Sequence, residues 1–147
     1  MEHTNNTMPT LLSLFFSLVL LLPVAHANAQ ADEEAKQTTQ TRTSSNGLYE
    51  VTIDSWLKPL KLGRMHAWTA SVRTPDGKPV TNADIKVGGG MPIHNHGFPT
   101  QPEMTKQLEE GVYLLEGFKF SMGGPWLITL DITVGKDTDT VAFDIDM

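Results

Sequence analysis

The sequence predicts an all-β domain, an immunoglobulin-like antiparallel β-sandwich of about seven strands, on three observations. Apolar and polar residues alternate through most of the chain after Leu48, strong turn signals separate the alternating runs, and no segment sustains a helical stripe of comparable length. A chain of 147 residues suits one domain.

The elements follow in chain order. Leu11 to Leu22 is an apolar run interrupted only by serines, followed by Pro23 and by small residues around Ala25, Ala27 and Ala29. That run is short of the roughly 20 residues a membrane span needs and has the form of a secretory signal, so residues 1–29 read as a signal peptide with no membrane span left after cleavage. The opening Met1–Thr10 contains Glu2 and no Lys or Arg, which keeps an uncleaved membrane anchor as the alternative. Residues 30–47 are polar, with alanine the only apolar type, and are expected to form a flexible leader. Residues 48–147 remain as the domain, about 100 residues, a normal size for one sandwich.

Within the domain, Tyr49, Val51 and Ile53 alternate with polar neighbours, and His66, Trp68, Ala70 and Val72 do so next. The pattern returns at Ile85/Val87, at Phe118/Phe120, from Trp126 to Val134, and at Val141, Phe143 and Ile145. Each run describes a strand with one face on a core and the other in water. Thr74–Pro79 and Gly135–Asp137 supply turns, and Glu109-Glu110-Gly111 leads into a strand at Val112. The tryptophans, Trp56, Trp68 and Trp126, are expected to supply large buried areas.

Composition narrows the chemistry. There is no cysteine, so disulfide scaffolds, thiolate metal sites, thiol enzymes and Cys-linked lipid anchors are excluded. Seventeen acidic residues stand against 11 basic ones, a net charge of −6 with no basic block, which argues against a nucleic-acid partner. The serines lie in no nucleophile motif, and Gly88-Gly89-Gly90 lacks the Lys-Ser/Thr of a phosphate loop, so an enzyme is not expected.

The segment from Gly88 to Pro102 interrupts the strand pattern. Three successive glycines and Pro92 and Pro99 make it a long loop or an irregular edge, and such loops in compact domains are often functional. His94 and His96, at i and i+2, would project to one side of an extended chain, with Met91 three residues before them. His66 follows Met65, and Met104 and Met122 flank the loop in sequence. Imidazole and thioether without thiolate suit copper, Cu(I) above all, whereas Mg and Ca want carboxylates. The plain alternatives stand beside this reading: Met122 continues the apolar face of Phe118 and Phe120, His66 is a half-buried neighbour of the loop, and Met104 covers a sheet edge.

The ordered strings Met91-Pro92-Ile93-His94-Asn95-His96-Gly97, then Gly111-Val112-Tyr113, then Phe120-Ser121-Met122-Gly123-Gly124-Pro125-Trp126 resemble the YtkA-like domain found in FixH-type proteins. The turn Pro75-Asp76-Gly77-Lys78-Pro79-Val80 matches as well, and the resemblance extends from Leu48 to Met147. It implies an extracytoplasmic immunoglobulin-like sandwich and a link to copper delivery during cytochrome oxidase assembly. Carried over by position, it implies Met91, His94, His96 and Met122 as the metal residues. Asn95 replaces the usual small residue between the histidines, and a cleavable signal replaces the usual N-terminal membrane helix.

Two functions are thereby expected in competition. One is a non-enzymatic, exported (periplasmic) copper-binding or metallochaperone module that passes Cu(I) to a membrane or periplasmic copper-receiving protein. The other is a structural or adaptor sandwich that binds a protein partner, its His-containing loop purely architectural. Geometry discriminates between them, because converging, accessible His and Met side chains favour the first and imidazoles closed into a hydrogen-bonded core favour the second.

Overall fold

The computed structural model describes residues 38–147, together with Met1, Gln30 and Asp32; the expected signal peptide lies outside the described residues apart from Met1. Eight strands form two antiparallel sheets: β1 Thr39–Thr43, β2 Glu50–Ser55, β3 His66–Arg73, β4 Asp84–Gly90, β5 Glu103–Glu109, β6 Val112–Phe118, β7 Pro125–Val134 and β8 Asp137–Asp146. One sheet has the order β1-β2-β3-β6-β5 and the other β4-β7-β8. Without β1, this is the seven-strand order of a constant-type immunoglobulin sandwich, four strands facing three. The expected fold class holds, with one strand added at the N-terminal edge.

That addition corrects the expected leader. Residues 39–43 are not a loose tail but pair with β2 in register from Thr39↔Asp54 to Thr43↔Glu50. The strand is polar throughout, so its hold on the fold comes from the backbone ladder, hydroxyl bonds of Thr39 to Asp54 and of Thr41 to Thr52, and one buried side chain. Gln40 is buried and donates from Nε2 to the Asp144 carbonyl of β8 at 2.7 Å, joining the two sheets.

Burial follows the alternation. In β2, β3, β7 and β8 every second residue is buried, and Val51, Ile53, Trp68, Ala70, Val72, Ile128, Leu130, Ile132, Val141, Phe143 and Ile145 meet between the sheets. Tyr113 is buried too, and its hydroxyl is satisfied by donating to Val80 O (2.7 Å) and accepting from Ala83 N (3.0 Å). Trp68 and Trp126 are core residues as expected. Trp56 is not: it lies just beyond the end of β2 and is 60% exposed, because alternation no longer assigns it a face once the strand has stopped.

The glycines Gly88–Gly90 are also ordered. They complete β4, paired in register from Gly88↔Thr129 to Gly90↔Leu127, and they can do so because β4 is an edge strand. Gly90 has φ +144, and a Cβ there would lie 2.3 Å from His96 O, so close approach of the next loop requires glycine.

The connections β4–β5 (residues 91–102) and β6–β7 (119–124) both pass from one sheet to the other at the same end of the sandwich. The ends of β2 and β8 and the start of β3 lie there as well, by the antiparallel registers. The candidate site is built on this end.

Candidate functional site

The loop after β4 begins with a single 3₁₀ turn, Pro92–His94, whose C-cap Asn95 is left-handed at φ 51, ψ 43. Asparagine tolerates that region better than most residues. The turn is closed by backbone hydrogen bonds: His94 N–H donates to Met91 O (3.1 Å), Asn95 N–H to Pro92 O (3.1 Å) and Met91 N–H to His96 O (2.8 Å). The histidines are therefore joined by a tight turn and not by an extended chain. They still come together, with ring centroids 6.0 Å apart and planes within 20° of parallel.

Both imidazoles are exposed. His96 Nδ1 lies 2.9 Å from Gly97 O, so it carries the proton and leaves Nε2 as the lone-pair nitrogen. The His96 ring stands edge-on to Trp126 at 5.8 Å, and Trp126 in turn donates from Nε1 to Met122 O at 3.0 Å. Phe98 fixes the far side of the loop: its ring stacks on Trp126 at 5.5 Å and 14° and meets Phe118 edge-on at 5.5 Å. Stacked and edge-to-face rings at these distances are favourable beyond the area they bury, so an aromatic floor supports the pair.

The methionines separate. Met91 is 1% exposed and belongs to the core, its Cε 3.4 Å from where a Cβ on Gly124 would stand. Its backbone closes the His turn while its sulfur lies inside. Met122 is 42% exposed, in the loop that carries the carbonyl bonded by Trp126. It does not continue the Phe118/Phe120 face, because β6 ends at Phe118. Met65 is exposed, and Met104 packs partly buried against the core.

His66 sits in its own aromatic setting, with ring centroids 5.3 Å from Phe120 and 6.1 Å from both Trp68 and Phe118. Its Nδ1 lies 3.1 Å from Arg64 O and its Nε2 is buried without a hydrogen-bond partner. Burial lowers its pKa, against an opposing rise from the Arg64 carbonyl. It does not join the His94/His96 pair by any ring contact among the described residues.

An imidazole nitrogen sits about 2 Å from a bound metal, and a ring centroid about 1 Å beyond, so two imidazoles on one ion have centroids within about 6.4 Å. The observed 6.0 Å fits inside that span. Among the described residues no cluster of three His, Cys, Asp or Glu is placed to hold a metal. The pair thus offers two imidazole nitrogens and, among the described residues, no third such group beside them. A cleft of about 270 Å³ opens beside it, lined by Gly89, Gly90, Asn95, His96, Gly97 and Leu127.

The residues the sequence singled out thus lie at one end of the sandwich, but only the histidines form a side-chain pair. Sequence reading missed the floor under them. Trp126 was legible as a core residue and as part of a motif, but nothing in its spacing showed that it supports His96, and Phe98 carried no signal of its own.

No helix among the described residues is long and apolar enough to cross a membrane. No curated protein and no solved structure matches the chain significantly. The YtkA-like family pattern matches residues 49–131, more than half of the chain, covering the sandwich from β2 into β7 with the His loop and the Met122–Trp126 segment inside it. The protein belongs to the YtkA-like family.

Proposed function

We propose that this domain is an exported, non-enzymatic copper-binding module that holds Cu(I) at the His94/His96 pair and releases it to a copper-receiving protein of the periplasm or membrane. The observation that carries this reading is the stacked, exposed imidazole pair, 6.0 Å between centroids, with His96 Nδ1 tied to Gly97 O. A ligand nitrogen whose partner nitrogen is held by a carbonyl is oriented before the metal arrives. Met122 is an exposed thioether in the loop whose carbonyl is bonded by Trp126, the ring under His96, and sulfur beside imidazole selects Cu(I) over harder ions. Met91 contributes through its backbone, and its buried sulfur becomes a ligand only when the turn opens.

Release by ligand exchange needs an open site, and a pair standing on the rim of the sandwich meets that need. The adaptor reading is less well supported, because the imidazoles face water and are not enclosed in a hydrogen-bonded core. Of these two rings, only that of His96 bonds to backbone among the described contacts.

The test is thermal unfolding with and without Cu(I). A ligand that binds only the folded state at a hundred times its Kd stabilises by about 2.7 kcal/mol, and His94→Ala with His96→Ala should abolish that gain while leaving the metal-free transition in place. Met122→Ala should weaken it in part, and acid should release the metal because an imidazole ligates only when neutral. A copper response unchanged in the double variant would sink the proposal.

A further inference from the structure

The loop from Trp56 to Met65, between β2 and β3, has a different character from the His site. Trp56, Leu62 and Met65 are 60%, 50% and 58% exposed. Among them stand Lys58, Lys61 and Arg64, all exposed, and no acidic residue, in a chain whose net charge is −6. Lys58 is already spoken for by Asp54, at 2.6 Å. Lys61 and Arg64 have no ion pair among the described residues.

The loop is ordered where it rejoins the fold. Gly63 N–H donates to Phe120 O at 2.7 Å and Trp56 N–H to Ala67 O at 3.0 Å, so the three apolar side chains are presented from a fixed backbone. Neither the cleft beside His96 nor a second one between Ile93 and Trp126 is lined by any of them. Exposed apolar side chains interleaved with basic ones suit a lipid surface, and tryptophan is the residue that favours the membrane interface.

A second observation comes from the chain's path. Thr39 opens β1 opposite Asp54, and its hydroxyl bonds the Asp54 carboxylate that also holds Lys58. The polypeptide therefore enters the domain beside this loop, and the apolar run Leu11–Leu22 lies upstream of that entry point. While the expected signal segment is still attached, a membrane that holds it lies on the chain's path into this end of the sandwich.

We infer that the Trp56–Met65 loop docks on an anionic lipid bilayer, seating Trp56, Leu62 and Met65 at headgroup level while Lys61 and Arg64 meet lipid phosphates. This is independent of copper binding, and it would turn the His94/His96 end toward the membrane.

The protein carries its own probe. Of its three tryptophans, Trp68 and Trp126 are buried, so Trp56 alone should respond to a change of solvent. The full chain is mixed with vesicles of phosphatidylglycerol and phosphatidylcholine, or of phosphatidylcholine alone. The expected result is a blue shift of Trp56 emission, and its quenching by brominated acyl chains, on the anionic vesicles only and reversed by salt. Lys61→Gln with Arg64→Gln should weaken that partitioning about thirtyfold, each basic side chain near the surface being worth about a factor of five. Trp56→Phe should remove the optical signal while co-sedimentation with the vesicles persists. Co-sedimentation with unmoved Trp56 emission would assign binding to the N-terminal segment and overturn the inference. An equal shift on neutral vesicles, or no response to either, would overturn it too, the latter in favour of an acidic protein partner.

Discussion

The two ends of the sandwich use polar groups in opposite ways. At the end away from the His loop, Asp139 is buried at the start of β8, and its carboxylate accepts from Asn46 N (3.0 Å), Asn46 Nδ2 (3.0 Å), Leu48 N (3.2 Å) and Thr140 N (2.9 Å). It clasps the β1–β2 turn of one sheet to a strand of the other, and Ser45 adds a backbone bond to Thr140 O at 2.8 Å. About 20 Å along β8, the His end leaves its imidazoles in water and most of its large exposed apolar side chains around them. The same scaffold thus uses its polar groups for closure at one end and leaves imidazoles in water at the other.

The largest effect should come from opening the closed end. Burial alone would raise the Asp139 pKa, but the Ser44 hydroxyl and the amides of Asn46, Leu48 and Thr140 outweigh it and hold the carboxyl down to about 2. Asp139→Ala strands several donors at once, and a loss of about 3 kcal/mol, or more than about 10 °C in Tm, is expected. Copper binding should not change, since the sites are far enough apart to act independently. A variant that lost copper as well would show that the two ends are coupled. The pH dependence has a definite sign. The folded pKa lies below the unfolded value of 3.8, so the stabilisation is complete above that value and is lost as pH falls through about 2. Urea unfolding between pH 5 and 2 should show this slope in the wild type, and a shallower one in Asp139→Asn.

Gly90 tests the open end more sharply. A Cβ there would lie 2.3 Å from His96 O and 2.5 Å from Gly97 Cα at φ +144, so Gly90→Ala must displace the turn that pairs the histidines. Left-handed strain and the clash should cost about 2 kcal/mol, and the copper-dependent stabilisation should fall with it. Gly88→Ala is the control: its Cβ would meet only the Thr129 Oγ1, 2.7 Å away on a side chain that can turn. Equal losses in both variants would mean that strand β4, and not the turn, governs the site.

These glycines also mark where sequence stops being informative. The half-buried strands were legible because a period of two fixes which side chains face the core, and Val51, Ile53, Ile128 and Ile132 lie where alternation places them. Strand β1 was not, because Thr-Gln-Thr-Arg-Thr carries no apolar signal and is held by a ladder and by polar side-chain bonds, Gln40 being the buried one. Gly88–Gly90 look unlike a strand, yet an edge needs no side chains to pair. Edge strand β5 is exposed along nearly its whole length and gave no pattern for the same reason. For the site, the H-x-H string identified the pair but not its geometry. A left-handed Asn95 and a turn closed on the Met91 backbone achieve what an extended chain was expected to do. The sulfur of Met91 could not be placed from sequence, since a methionine that ends a buried strand and one that starts a ligand loop have the same neighbours.

The smallest predicted effect concerns His66, the one histidine at the open end that is withdrawn from water. Its Nδ1–H donates to Arg64 O, so the lone pair on Nε2 is left against Phe120, Phe118 and Trp68 without a partner. Burial disfavours the charged ring, and its folded pKa is below the usual 6.5. Below pH 6.5 the unfolded chain binds a proton that the folded one does not, so His66 makes the protein less stable as pH falls from there through its folded pKa, and has no further effect below it. His66→Phe removes both the unpartnered nitrogen and the proton, so stability at neutral pH should change by only about 1 kcal/mol and the slope below pH 6.5 should flatten. A His66→Phe protein that kept the full slope would show that the withdrawn imidazole is not its source.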